Sequence, residues 1–362
     1  MADLNLNKNV LQGLVVEAVQ GMEALKADRA MPPVDVSKSS GGPGSAGTIM
    51  IESARELMGD ASADYHRALG ADPRELPRFG ASSVDYSIDK ILSPTAWVAH
   101  EEEEDSAIPV SRVSRLVRKC TRATMLQHER TFANFLMGAA TGWETGNLTA
   151  LSGTPVKLSA ANAKPLDVFD KLADVVRSNS NGVNRKNYTL GLSYDLMPFL
   201  RRNEQLLGLV GSAANGAVFS GERQLSDDEV LRRLVTHLGI KDAFFLEALY
   251  ESAAKGATSS VAEVASDTAW MGILGSSDID VNADRVDVAP VAALQLAVKP
   301  GAPNITGGDD QVVAPANGVN GGLYRTLVYQ NEHKTRIYGR VEVRRLFKAI
   351  DTTLGYRLTD CV

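Results

Sequence analysis

The sequence predicts an α+β fold organised around one long helix, and three observations carry that reading. From Pro109 to Met137 no glycine interrupts the chain, and Pro109 suits a first helical turn, so a helix of roughly 40 Å is expected. From Pro165 onward helix-type and strand-type patterns alternate, as in a mixed domain. From Leu323 two long stretches rich in β-branched and aromatic residues close the sequence. With 362 residues, 44% of them hydrophobic and 23% charged, the chain can bury sizeable cores in two or more domains.

Taken in order, residues 4–26 repeat apolar side chains at helical spacing (Leu11, Leu14, Val15, Ala18, Val19, Met22), which fits a short amphipathic helix despite Gly13 and Gly21. From Pro32 to about His100 the pattern is extended, with a glycine-rich turn, a short helix expected around residues 53–70, and a returning strand. In that strand Val84, Tyr86, Ile88 and Lys90 share a face by period two. Thr48–Glu52 reads as a strand leading out of the glycines.

Along the long helix Val113, Leu116, Val117, Cys120 and Thr124 form one stripe, and Arg112, Arg115, Lys119 and Arg122 another beside it. The acidic run Glu101–Asp105 precedes the helix start, where the macrodipole favours negative charge. Beyond Pro165 come a helix in PLDVFDKLADVV, a strand in NYTLGLS running into a short helix, and a helix in SDDEVLRRLVTHLG. That last helix is expected to open on a capping box, with Ser226 as N-cap and Glu229 at N3, and to stop at Gly239. DAFFLEALYES and TAWMGILGS read as strands, residues 299–322 as a Gly/Pro/Asn-rich connector, and the final two strands meet near Asn331–Lys334.

Several chemistries fail on their spacing. The run Gly42-Pro43-Gly44-Ser45-Ala46-Gly47 satisfies G-x-G-x-x-G, but a strand pattern follows it where a phosphate loop needs a helix N-terminus. Pro32-Pro33 argues against a buried parallel strand before it, and no lysine precedes Thr48, so the P-loop reading fails too. The plain reading is a loop between two extended arms. His128-Glu129 opens a zinc-protease motif whose second histidine would fall at Phe132, so His128 is expected on the helix surface. His100 beside the acidic run reads as a solvated face rather than a metal cluster, and Ser252/Lys255 stand at S-x-x-K spacing without that class's other motifs. Cys120 and Cys361 have no C-x-x-C partner, which disfavours zinc, redox roles and a disulfide framework. A net charge of -6 argues against a chain-wide embrace of nucleic acid, and no apolar run approaches a membrane span. The N-terminus lacks a signal-peptide layout, so cytoplasmic folding is expected. No catalytic, cofactor or metal site is expected.

The order of these textures resembles a tailed-bacteriophage major capsid protein of the Hong Kong ninety-seven phage type. The stretches PPVDVSKSSGGPGSAGTIMIES and SSVDYSIDKILSPTAWVAH resemble the two arms of that family's E-loop, and Pro109–Met137 the spine helix of its P-domain. NYTLGLSYDLMPFLRRNEQLL, LVTHLGIKDAFFLEALYESAAKG and TAWMGILG are similar to segments of its A-domain. The resemblance implies an N-terminal arm at 1–31, an E-loop at 32–100, a P-domain with spine helix at 101–164, an A-domain at 165–322 and a C-terminal return to the P-domain at 323–362. It also implies self-assembly into hexamers and pentamers that close an icosahedral shell around double-stranded DNA, in a virion assembled in the host cytoplasm. Portal, scaffolding and cement proteins are the further partners it implies, without any membrane. Candidate intersubunit contacts are Gly42, Gly44 and Gly47, which would bend a loop over a neighbour, and the acidic Glu101 and Glu103 opposite Arg112, Arg115, Lys119 and Arg122. An encapsulin-like compartment shell is one alternative; an α/β hydrolase using the acidic run is another, disfavoured by the missing nucleophile and base.

Overall fold

The computed structural model describes residues 26–52, 81–99, 109–148, 151, 157–208, 225–300, 311–315, 324–330 and 335–362, apart from short breaks inside those spans. All but the last residue of the helix expected at 4–26 lies outside the described residues, as do the helix expected at 53–70, the acidic run, His100, Ser252 and Lys255. The rest is mixed α and β, as expected.

Helix α1 (Ala27–Ala30) is followed by strand β1 (Pro33–Asp35), a glycine turn, and strands β2 (Ala46–Glu52), β3 (Ala81–Ser87) and β4 (Thr95–Ala99). Helix α2 occupies Pro109–Met137, the bounds its sequence predicts. After β5 (Glu144–Asn147) come α3 (Pro165–Asn179), β6 (Thr189–Ser193), α4 (Met197–Arg202), α5 (Glu204–Gly208), α6 (Asp227–Leu238), β7 (Asp242–Leu246), β8 (Leu249–Glu251), β9 (Val261–Glu263) and β10 (Thr268–Gly272). The chain continues through β11 (Asp280–Val281), β12 (Arg285–Val288), β13 (Ala293–Val298), β14 (Gln311–Pro315), β15 (Tyr324–Gln330), β16 (Arg336–Ala349) and β17 (Gly355–Thr359).

Local chemistry sets many of these bounds. In α6 the Ser226 hydroxyl accepts the Glu229 N–H, and Gly239 ends the helix at φ 64°. Glu229 does not complete the capping box; its carboxylate takes Arg233 instead. Helix α2 stops at Gly138, where a Cβ would sit 2.2 Å from the Asn134 carbonyl oxygen.

One sheet runs β1-β13-β16-β15-β14, with β4 also paired to β16; α2 packs against β16 and β4. A second runs β5-β17-β10-β6-β7, and α3 and α6 pack beside it. A third runs β11-β12-β2-β3. A continuous core joins the second sheet (Leu190, Leu192, Phe245, Met271) to α3 and α6 (Phe169, Leu172, Val230, Leu234). An aromatic cluster of Phe132, Trp143, Phe244, Trp270 and Phe347 sits under the C-terminal half of α2.

Four details depart from the sequence reading. Residues 33–35 do form a parallel strand, despite the two prolines: β1 is the terminal strand of its sheet, and Pro33 opens it, where the missing N–H leaves no ladder bond unmade. The expected connector at 299–322 contains β14, paired antiparallel with β15. Strand β17, grouped in sequence with the two long strands before it, pairs instead with β10 and β5 in the second sheet. That crossing is possible because Gly355 and Gly272 leave room for the Trp143 and Trp270 rings, which approach within 3 Å of where a Cβ would stand. Finally, β12 pairs in parallel with β2, and β13 in parallel with β1 and antiparallel with β16, so residues 285–298 join strands well outside the 165–322 span.

Candidate functional site

The long helix presents two faces. Val113, Val117, Cys120, Thr121 and Thr124 are buried against the first sheet. The approach is close because β16 carries Gly339, where a Cβ would lie 3.1 Å from the Leu116 Cβ, and the Cys120 thiol donates to the Gly339 carbonyl at 3.2 Å. Thr121 and Thr124 satisfy their hydroxyls on the helix carbonyls of Val117 and Cys120. On the other face Arg115, Lys119 and Arg122 are exposed and Arg112 half-buried. These cations stand in the row their spacing predicts. Glu101 and Glu103, their expected partners, lie outside the described residues.

His128 is not on the surface. It continues the buried stripe of Val113, Val117, Cys120 and Thr124 one helical turn further, and that phase was legible in the sequence. It is buried and stacks on Phe347 at 4.8 Å between ring centroids. Its Nε2 lies 3.0 Å from the Gln295 amide nitrogen, 3.1 Å from Arg345 Nη1 and 3.3 Å from Asp28 Oδ1. Two N–H donors converge on Nε2, which makes it an acceptor and places the ring proton on Nδ1. Arg345 also pairs with Asp28, and the Tyr324 hydroxyl donates to Asp28 Oδ2 at 3.3 Å. Burial alone would raise the Asp28 carboxyl, but the Arg345 guanidinium and the Gln295 amide outweigh it and hold it well below the usual carboxylate range. Burial pushes His128 below its ordinary value.

Glu129 is buried as well, at 1% exposure, and its two oxygens accept the Lys26 and Ala27 N–H groups at 3.0 and 2.9 Å. Burial pushes its carboxyl up to about 6, against the pull of those two bonds. The His-Glu pair is thus an anchor for α1. Asp28, Gln295, Tyr324 and Arg345 carry no local signal, because they meet His128 only through contacts 100 to 217 positions away in sequence or through each other.

The glycine turn is built against its own chain. Gly41 and Gly44 have φ of 83° and 101°, which favour glycine. The Gly42 N–H donates to the Ser37 carbonyl and the Gly44 N–H to the Val36 carbonyl. A Cβ at Gly42 would lie 2.5 Å from the Val36 oxygen, and one at Gly47 2.7 Å from Pro43 Cβ. Tyr86 donates its hydroxyl to the Gly44 carbonyl at 3.2 Å. The glycines therefore do intrachain work that the sequence reading did not foresee. Strand β2 follows the turn directly, so no helix N-terminus is present to hold a phosphate.

On the face of the first sheet away from α2, Trp97, Tyr338 and Tyr329 stand in register across β4, β16 and β15. The two tyrosines stack at 5.1 Å, and the Arg336 guanidinium sits 4.3 Å over Trp97, which is 52% exposed. Two steps further along the same face of β16, the buried Glu342 is paired with both Arg325 and Arg340. Cys120 and Cys361 are buried free thiols, and burial raises both, Cys361 to about 12. Among the described residues no three His, Cys, Asp or Glu side chains gather into a metal-holding group, and no helix is long and apolar enough to cross a membrane.

No family model matches the chain, and no curated protein does. Solved structures do. A phage-related protein from Bordetella bronchiseptica RB50 is 14% identical, with a TM-score of 0.59 over 98% of this chain and 97% of that one. A virus-like particle from Pyrococcus furiosus is 10% identical, with a TM-score of 0.48 over 97% of this chain and 98% of that one. The mature capsid of bacteriophage PhiM1 is 9% identical, with a TM-score of 0.46 over 90% and 84%. The chain shares its α+β fold with that phage-related protein over nearly the whole of both chains.

Proposed function

We propose that this chain is a major capsid protein that assembles with copies of itself, as hexamers and pentamers, into the icosahedral head of a phage around double-stranded DNA. The observation that supports this most is the end-to-end likeness to a phage-related protein, spanning 98% of this chain. A virion location follows, with assembly in the host cytoplasm and with portal, scaffolding and cement proteins as partners. In this reading the chain divides into an arm at 1–31, an E-loop at 32–100, a P-domain at 101–164, an A-domain at 165–322 and a C-terminal segment at 323–362, with strands exchanged across those limits. Closed rings require heterologous contacts of fixed rotation, and the exposed row Arg115, Lys119 and Arg122 supplies one side of a candidate contact. Glu101 and Glu103 of the same or a neighbouring copy supply the other. Gly42, Gly44 and Gly47, inside the E-loop, bend it toward a neighbouring copy.

Size-exclusion chromatography and negative-stain microscopy of the expressed protein test the reading. Capsomers or closed shells are expected. A small oligomer at every concentration and salt would sink it. Double-stranded DNA inside native particles separates a phage head from an encapsulin-like compartment, which would hold protein cargo.

A further inference from the structure

Beside the Asp28–His128–Arg345 cluster lies a cleft of about 500 Å³, between residues 87–92, the 127–135 stretch of α2 and the 343–347 stretch of β16. Its volume falls in the range of small-molecule sites, ~300–1,000 Å³. The feature that distinguishes it is Arg345. This side chain is only 2% exposed and lines the cleft. Its Nη1 serves Asp28 and His128, while Nε and Nη2 are buried with no hydrogen-bond partner. A buried guanidinium edge with unmet N–H groups is costly, and a planar oxyanion meets two such donors at once. The other charged groups lining the cleft are Lys90 and Asp89, both exposed; Asp28 is not part of its lining and is held by Arg345. Glu129 points the opposite way, onto the Lys26 and Ala27 N–H groups. Ile91, Leu92, Phe135 and Leu346 make the remaining wall apolar.

The geometry points to a binding site for an oxyanion carried on an apolar body, a carboxylate or a phosphate monoester, with Arg345 as its anchor and Lys90 at its mouth. One source of that chemistry is a free small molecule; another is an acidic side chain of a second copy of the chain.

The test uses the full chain as free subunits, with hexanoate and butyl phosphate as probes and hexanol and butanol as their neutral isosteres, at fixed ionic strength. Saturable binding by calorimetry is expected for the anions and not for the alcohols. Thr131→Trp, on the exposed rim of α2, fills the cleft without touching the cluster and should lower affinity at least tenfold. Lys90→Gln should lower it about three-fold, as an exposed charge does. Arg345→Gln also breaks the Asp28 pair, so its loss of binding counts only if its circular dichroism is native. Equal binding of the alcohols, no saturable anion binding, or unchanged affinity in Thr131→Trp would overturn the proposal. Assembled particles separate the sources: a site filled by a neighbour's carboxylate binds probe in free subunits and not in shells, whereas a small-molecule site binds in both.

Discussion

Glu129 offers a stability prediction whose sign and size follow from the structure. Its carboxyl is raised from an ordinary 4.5 to about 6 because it is buried under α1. At about 1.4 kcal/mol per tenfold, the ionised form is disfavoured in the folded chain by about 2 kcal/mol. The folded value lies above the unfolded one, so the contribution is present in full below about pH 4.5 and is lost as pH rises through about 6. Asp28 and His128 act in the opposite sense: both are depressed, so their contributions are present above their ordinary values and lost as pH falls. Comparing the native chain with Glu129→Gln removes that background, since both proteins keep Asp28 and His128. Glutamine stays neutral and presents one acceptor to the two N–H groups, which costs a hydrogen bond at every pH. Urea unfolding at half-unit steps from pH 4.5 to 7.5 reads the difference. The advantage of the native chain over the variant should shrink by about 2 kcal/mol across that range. A flat difference, or one that grows with pH, would refute the assignment of Glu129 as a desolvated carboxyl.

Three further outcomes are expected. Gly42→Ala places a methyl 2.5 Å from the Val36 carbonyl oxygen and should cost ~1–3 kcal/mol, measured by urea unfolding; an unchanged midpoint would show that the turn yields freely. Leu234→Ala empties a fully buried position between α6 and the second sheet and should cost ~2–5 kcal/mol in the same assay. Replacing Arg115 and Lys119 together by glutamate should leave the subunit's melting temperature within a degree or two, because exposed ion pairs contribute only ~0–1 kcal/mol. Shell yield by sedimentation should nonetheless fall, since the contact repeats in every subunit; normal yield at physiological salt would make the row a solvated face.

What the sequence determined by itself was local. Pro109 and Gly138 bound the long helix, Ser226 and Gly239 bound α6, and apolar, aromatic and β-branched runs located β2, β6, β7, β10, β15 and β16. Each signal acts within a few residues, through a cap, a missing N–H or a side-chain period. The placement of His128 was half legible. Its step along the buried stripe puts it inside, yet the residues that make burial tolerable, Asp28, Gln295 and Arg345, come from three other elements. Only the tertiary structure decided that meeting. It also decided that β1 takes a parallel edge, that β14 forms within the glycine-rich connector, and that β17 leaves its sequence neighbours for β10. Strand pairing is a choice among edges, made by which faces must be covered and which glycines let Trp143 and Trp270 fit. Those competing contacts lie far apart along the chain, so no window of neighbouring residues contains them.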